Sequence, residues 1–147
     1  LDIYNNPANI FIAGFIGSPK MNFLSGEVTG VTAGKMTFQP VAGKAIKLDA
    51  KRFDVNAGDK VTIGFRPNHL SVGTKAKSDI IVKVRNTEQL GGESFIYTIA
   101  EDGTPVTVHL SGQTSIEADK DIGIVLDHNA FHLFDTASGK TLKNEND

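Results

Sequence analysis

Phe95-Ile-Tyr-Thr-Ile-Ala-Glu-Asp-Gly-Thr-Pro-Val-Thr-Val-His-Leu110 decides the fold. Phe95, Tyr97 and Ile99 alternate with Ile96 and Thr98; Val106, Val108 and Leu110 alternate with Thr107 and His109. A period of two sends neighbouring side chains to opposite faces of a strand, so each run can bury one face. Asp102-Gly103 between the runs suits a two-residue turn with positive φ, and the stretch therefore predicts an antiparallel hairpin. The phase adopted places Phe95 and Tyr97 in the core and His109 toward solvent.

The same rule holds outward in both directions. Met36 and Phe38 alternate with Thr37 and Gln39, and Val61, Ile63 and Phe65 alternate with Thr62 and Gly64. Ile80, Val82 and Val84, then Ile122, Ile124 and Leu126, follow it, and Phe131 to Phe134 reads as a closing strand. Turn signals separate the runs at Ala33-Gly34, Ala42-Gly43, Asn56 to Asp59, Gly91-Gly92, His128-Asn129 and Ser138-Gly139. One buried and one wetter face means antiparallel sheet. About nine strands joined by tight turns predict an all-β barrel or sandwich, with two half-size barrels from one chain left open.

Ahead of this pattern the character differs. Asn6-Pro7 can start a helix, because Asn caps free N–H groups and Pro loses nothing in the first turn. The helix would run over residues 8–16, with Ile10, Phe11, Ile12, Phe15 and Ile16 around most of its girth and Gly17 to stop it. Residues 143–147 are polar and read as a frayed tail.

Bulk composition excludes several classes. The 147 residues make one domain or two very small ones sharing a core. Fifteen Lys plus Arg against seventeen Asp plus Glu leave a formal charge of −2, not the basic surplus of a nucleic-acid binder. A single-strand-binding barrel would set aromatic rings in a basic groove. Here Phe38, Phe65, Phe95 and Tyr97 are assigned to the core, and Lys51, Arg52, Lys83 and Arg85 lie among acidic neighbours. Without cysteine there is no disulfide and no thiolate zinc site. Ile10 to Ile16 is far short of the ~20 residues of a membrane span, and no signal-peptide pattern opens the chain. The chain starts without Met in the middle of a pattern, and so reads as a fragment.

Catalytic patterns fail on spacing. Gly139-Lys140-Thr141 would need a glycine at Phe134 to make a phosphate-binding loop. Leu110-Ser-Gly-Gln113 lacks one glycine of the Leu-Ser-Gly-Gly-Gln signature of transporter ATPases and ends a strand instead of opening a helix. His128 and His132, four residues apart in extended chain, would stand ~13 Å from each other, too far for one zinc. Nothing local singles out Ser94, Ser111, His69 or His109 as a nucleophile–base pair. No catalytic, metal or cofactor-binding residue is assigned, and the chain is read as non-enzymatic.

Five segments in order carry a family resemblance. They are residues 1–15 (Leu-Asp-Ile-Tyr-Asn-Asn-Pro-Ala-Asn-Ile-Phe-Ile-Ala-Gly-Phe), the junction Gly17-Ser-Pro-Lys-Met-Asn-Phe23, Gly64-Phe-Arg-Pro-Asn-His-Leu70, Glu88-Gln-Leu-Gly-Gly-Glu93, and His132-Leu-Phe-Asp135 with Ser138-Gly139. Together they resemble the C-terminal regulatory domain of ATP-binding subunits of sugar-type ABC importers, the maltose and glycerol-phosphate branch. Asn68 departs from the usual Glu and removes a carboxylate.

The resemblance implies an oligonucleotide-binding-type (OB) barrel over residues 24–142. Residues 1–23 would be the last helix and linker of a preceding nucleotide-binding domain, which would hold ATP and Mg. It implies a homodimer, contact with that nucleotide-binding domain and, indirectly, with permease subunits, and a surface some relatives offer to a regulatory protein. The place implied is the cytoplasmic face of the plasma membrane. Arg66, Pro67, Asn68, His69, Glu88, Gly91, Gly92 and Glu93 are the candidate pairing and regulatory surface. Phe11, Phe15, Ile16, Met21 and Phe23 are the candidate interdomain packing residues. A rival expectation is an oxyanion sensor, with Gly91, Gly92 and Ser94 offering N–H and hydroxyl groups to the anion.

Overall fold

The computed structural model describes residues 20–143. The expected helix over residues 8–16, with Phe11, Phe15 and Ile16, lies outside them, as does the tail 144–147. Ten strands make up the described chain: β1 (Asn22–Thr32), β2 (Lys35–Pro40), β3 (Ile46–Asp49), β4 (Lys60–Phe65), β5 (Leu70–Gly73), β6 (Ile80–Leu90), β7 (Glu93–Ala100), β8 (Pro105–Ser111), β9 (Asp121–Leu126) and β10 (His132–Asp135). All pairings are antiparallel. β3 and β5 are four residues each, too short for their alternation to stand out in sequence.

Two five-stranded sheets result, in the orders β10-β4-β1-β2-β3 and β5-β9-β6-β7-β8. Set side by side, β1, β2, β3 and β4 match β6, β7, β8 and β9. The register confirms the match. Val28 pairs with Phe38, and a bulge follows; Val84 pairs with Thr98, and a bulge follows. Val28 N–H donates to Asp59 O (2.9 Å) and its carbonyl accepts from Gly58 N (2.7 Å); Val84 does the same with Lys120 O (2.9 Å) and Asp119 N (2.7 Å). The chain is thus two half-barrels on one plan.

The fifth strands are exchanged. β5 follows β4 in sequence but pairs with β9, while β10 follows β9 and pairs with β4. β5 also packs on β8, which brings the second sheet round on itself. In the first sheet, Leu142 N–H donates to Leu133 O (2.9 Å) and Leu142 O accepts from Asp54 N (2.8 Å), linking β10 to the segment after β3. One continuous apolar core, from Leu24 and Phe38 to Val106 and Leu133, fills both halves.

Two expectations change. The turn at Asp102 is a three-residue loop: Ala100 N–H reaches Thr104 O (2.8 Å), and Gly103 alone has positive φ (88°) while the Asp102 carboxylate accepts from Thr104 N–H (2.9 Å). That is the glycine-bulge form of hairpin loop. The two-residue left-handed turn falls instead on Ala33 (φ 52°) and Gly34 (φ 77°).

The phase of β7 is also reversed. Ser94, Ile96, Thr98 and Ala100 face the core, and Phe95, Tyr97 and Ile99 lie outward and half-buried. Buried hydroxyls are tolerated because they are satisfied. Ser94 Oγ donates to Gly112 O (2.7 Å) and accepts from Thr114 N–H (2.8 Å), and Thr98 Oγ1 donates to Val106 O (2.8 Å). Small inner side chains on β7 leave room for the larger ones of the opposing strands.

Candidate functional site

The residues singled out from sequence fall in three places. The first is the exit from β4. Arg66 is extended (φ −74°, ψ 142°), and Pro67–His69 form one 3-10 turn that packs against β8. Pro at the first position of such a turn costs no hydrogen bond. Arg66 is 1% exposed and Pro67 is buried, so these two are interior residues and not rim residues as expected. Asn68 is exposed and His69 half-buried, with its Nδ1 buried and lacking a hydrogen-bond partner.

Arg66 is one of several cations around His132. His132, the first residue of β10, is held down to about 4 by burial and by the nearby charges of Arg66, Arg52, His69 and Lys143. Arg52 lies over the Phe53 and Phe131 rings, 4.7 and 5.0 Å from their centroids. It donates to the carbonyls of His128 (3.3 Å) and Phe131 (3.5 Å). His128 turns away to Asp79 (3.2 Å). An imidazole pressed by cations stays neutral at physiological pH.

The second place is the tip of the β6–β7 hairpin. Glu88, Gly91, Gly92 and Glu93 are all exposed, and Leu90 beside them is 53% exposed. The tip is braced from one side: the Gln113 side-chain amide donates to Gly91 O, and Gln89 Nε2 donates to Thr114 O (3.2 Å). Since both hydrogen-bonding roles of the Ser94 hydroxyl are taken by Gly112 and Thr114, it is not offered to an anion.

Sequence reasoning missed the side chains beside this tip. Phe95 stacks on His109, with ring centroids 4.5 Å apart and planes within 5°. His109 Nε2 meets Glu93 Oε1 at 3.0 Å, and Tyr97 Oη donates to Glu88 Oε1 at 3.2 Å. Strand alternation was the available signal, but both phases of Ser94 to Ala100 contain apolar residues. Two carboxylates on this face also disfavour a nucleic-acid backbone, despite the half-buried, outward rings.

The third place is the junction. Met21 is 4% exposed and Phe23 half-buried, and they pack around Phe134 over Gly64. The Phe23 and Phe134 rings meet edge to face at 6.2 Å. A Cβ on Gly64 would fall 2.6 Å from Met21 Sδ and 3.0 Å from Phe134, so the missing side chain is what lets the junction lie down. Between them Asn22, 6% exposed, donates from its side-chain amide to Thr107 O (2.9 Å) and accepts from Thr107 N–H (2.9 Å). One side chain thus stands in for a strand partner on the edge of β8 and joins the two halves.

Residues 17–70 match the family model described as the MalK OB fold domain. The chain is 33% identical, over 99% of its length, to the maltose/maltodextrin import ATP-binding protein MalK of Vibrio parahaemolyticus. It is 32% identical over 98% of its length to the xylose/arabinose import ATP-binding protein XacK of Haloferax volcanii. It is 33% identical over 97% to the sn-glycerol-3-phosphate import ATP-binding protein UgpC of Cupriavidus metallidurans. The chain spans 40%, 38% and 40% of the length of these relatives. Among solved structures, the molybdate-bound cytoplasmic protein ModG shares the fold, with TM-score 0.62 at 12% identity, over 76% of this chain and 94% of that one. The chain belongs to the OB-fold domain family of sugar-type import ATP-binding subunits.

Proposed function

We propose that this member of the import ATP-binding family is the non-catalytic regulatory and pairing domain of its subunit, in an importer of sugars or related polyols. The observation that carries the reading is the match along nearly the whole chain to three ATP-binding proteins named for different cargoes, of which it spans only about two fifths. A segment shared across cargoes is not the part that selects the cargo. ATP and Mg belong to the remaining part of the subunit, and the permease subunits are reached through it. The working place is the cytoplasmic face of the membrane; among the described residues no helix is long and apolar enough to cross one.

The mechanism is mechanical. A rigid double barrel holds two subunits together while the nucleotide-binding parts open and close. Met21, Asn22 and Phe23 are the lever, because they tie the chain entering β1 to β4, β8 and β10. Asn68 and the Glu88–Glu93 tip are the exposed parts available to a second copy or to a regulatory protein. The test is sedimentation of the full-length subunit without nucleotide. It is expected to be dimeric, and to become monomeric once residues 22–143 are removed. A full-length subunit that is monomeric without nucleotide would overturn the pairing role.

The oxyanion reading has the ModG fold likeness behind it, which concerns fold alone. The commitment of the Ser94 hydroxyl speaks against an anion at the Gly91-Gly92 turn.

A further inference from the structure

The two half-barrels present opposite chemistry at matched positions. With Val28 set on Val84, the register places Lys35 on Phe95, Thr37 on Tyr97, Asp49 on His109, Lys47 on Thr107 and Thr32 on Glu88. The first half therefore shows a net basic face, with exposed Lys35, Lys47 and Lys51 around the carboxylate of Asp49, which stands directly across from Lys35. Among the described residues, Lys35, Lys47 and Lys51 form no close ion pair, and only the Asp49 carboxylate offsets part of their charge, through Lys35 and Lys51. The second half shows Phe95, Tyr97 and His109 flanked by the carboxylates of Glu88 and Glu93.

We propose that the Phe95 face of one copy docks on the lysine face of a second copy, an assignment that rests on the pairing role above. Spacing supports it. Glu88 lies across from Phe95, and Glu93 is two residues along β7, so the carboxylates are diagonal neighbours roughly 7–8 Å apart at the backbone. Lys47 lies across from Thr37, and Lys35 is two residues along β2, which gives the same diagonal. The two charge pairs can meet at once.

Order supports it as well. The carboxylates are held by Tyr97 Oη and His109 Nε2, and the Phe95 ring is fixed by its stacking on His109. Side chains already immobilised lose little entropy on docking. Half-buried aromatic rings are enriched in protein interfaces, and a lysine over such a ring gains cation–π attraction. Since each copy carries both faces, a two-fold axis can form the contact twice.

The test is analytical ultracentrifugation of this chain with two double variants, Glu88→Lys with Glu93→Lys, and Lys35→Glu with Lys47→Glu. All four positions are exposed or at a turn, so circular dichroism and melting temperature should not change. Each variant alone is expected to weaken self-association by at least roughly tenfold per lost charge pair. Mixed in equal amounts, one variant has two positive faces and the other two negative ones, and a heterodimer is expected to return. Wild-type association that neither variant weakens overturns the assignment of faces, as does loss in both with no recovery on mixing. A wild-type chain that stays monomeric to about millimolar concentration also overturns the faces, while the full-length sedimentation experiment decides the pairing role separately.

Discussion

At Lys35 the first half-barrel carries a flexible ammonium; at the matching Phe95 the second carries a ring stacked on a histidine. Inside, the same comparison gives near equivalence: Val28 against Val84, Met36 against Ile96, Leu48 against Val108, all buried. Even the outer ion pair keeps its place with the signs reversed. Glu27 and Lys60 meet at 2.7 Å in one half, and Lys83 and Asp121 at 3.5 Å in the other. The lattice constrains volume and apolarity inside and leaves the outside free to diverge. Divergence outside one half, toward aromatic rings, is what the proposed docking of that face rests on.

The sharpest break of this comparison is to separate the halves. Because β10 completes the first half and β5 the second, neither should fold alone. A chain ending at Ala130 loses Phe131, Leu133 and Phe134, all at most 1% exposed. At ~1.5–3 kcal/mol for each buried side chain, that loss rivals the whole stability of a domain. The expected outcome by circular dichroism and hydrogen exchange is complete loss of structure, β6 to β9 included. Persistent amide protection in β6 and β7 would show two independent halves.

A smaller effect separates the halves by pH. His132 on β10 occupies the position of Ser71 on β5, so at this position the first half carries a half-buried imidazole and the second a serine. Its pKa in the folded chain is about 4, below the ordinary 6.5. The unfolded chain therefore takes up the proton first as pH falls. Stability is full above about 6.5 and declines toward 4. Allowing for the ring's partial exposure, about 2 kcal/mol should be lost between pH 7.5 and 4.5, measured by urea unfolding. His132→Gln should remove that part of the decline, and an unchanged acid profile in the variant would place the acid sensitivity elsewhere.

The smallest effect concerns the mirrored ion pairs. Exchanging their signs, with Glu27→Lys plus Lys60→Glu in one half and Lys83→Asp plus Asp121→Lys in the other, should change stability by no more than about 0.5 kcal/mol in thermal melts, since both pairs are exposed. A larger change in one half alone would mean that its outer face is already tied into the fold.

Much of this was legible in the chain. Alternation at Met36 and Phe38, Val61 to Phe65 and Val106 to Val108 identified strands and their inward residues, because burial of one face leaves a period of two. The Arg66-Pro67 exit and the Gly91-Gly92 tip were recognisable as turns. Whether Arg66 lay outside or inside was not, since a long cation is buried or exposed according to what covers it. Nor was the phase of β7, where hydroxyls of Ser94 and Thr98 enter the core only because backbone carbonyls on β8 and just beyond it accept from them.

By itself the sequence determined an all-β chain, where most of its turns fall, and its kinship, since each rests on neighbours within a few residues. Only the tertiary structure decided the exchange of β5 and β10, the inward Arg66, and the facing of Phe95 with Glu88 and Glu93 away from the core. The exchange depends on pairing between strands far apart in the chain, and the other two depend on which face the rest of the fold covers. A period of two says that a strand has two faces and is silent on its partner.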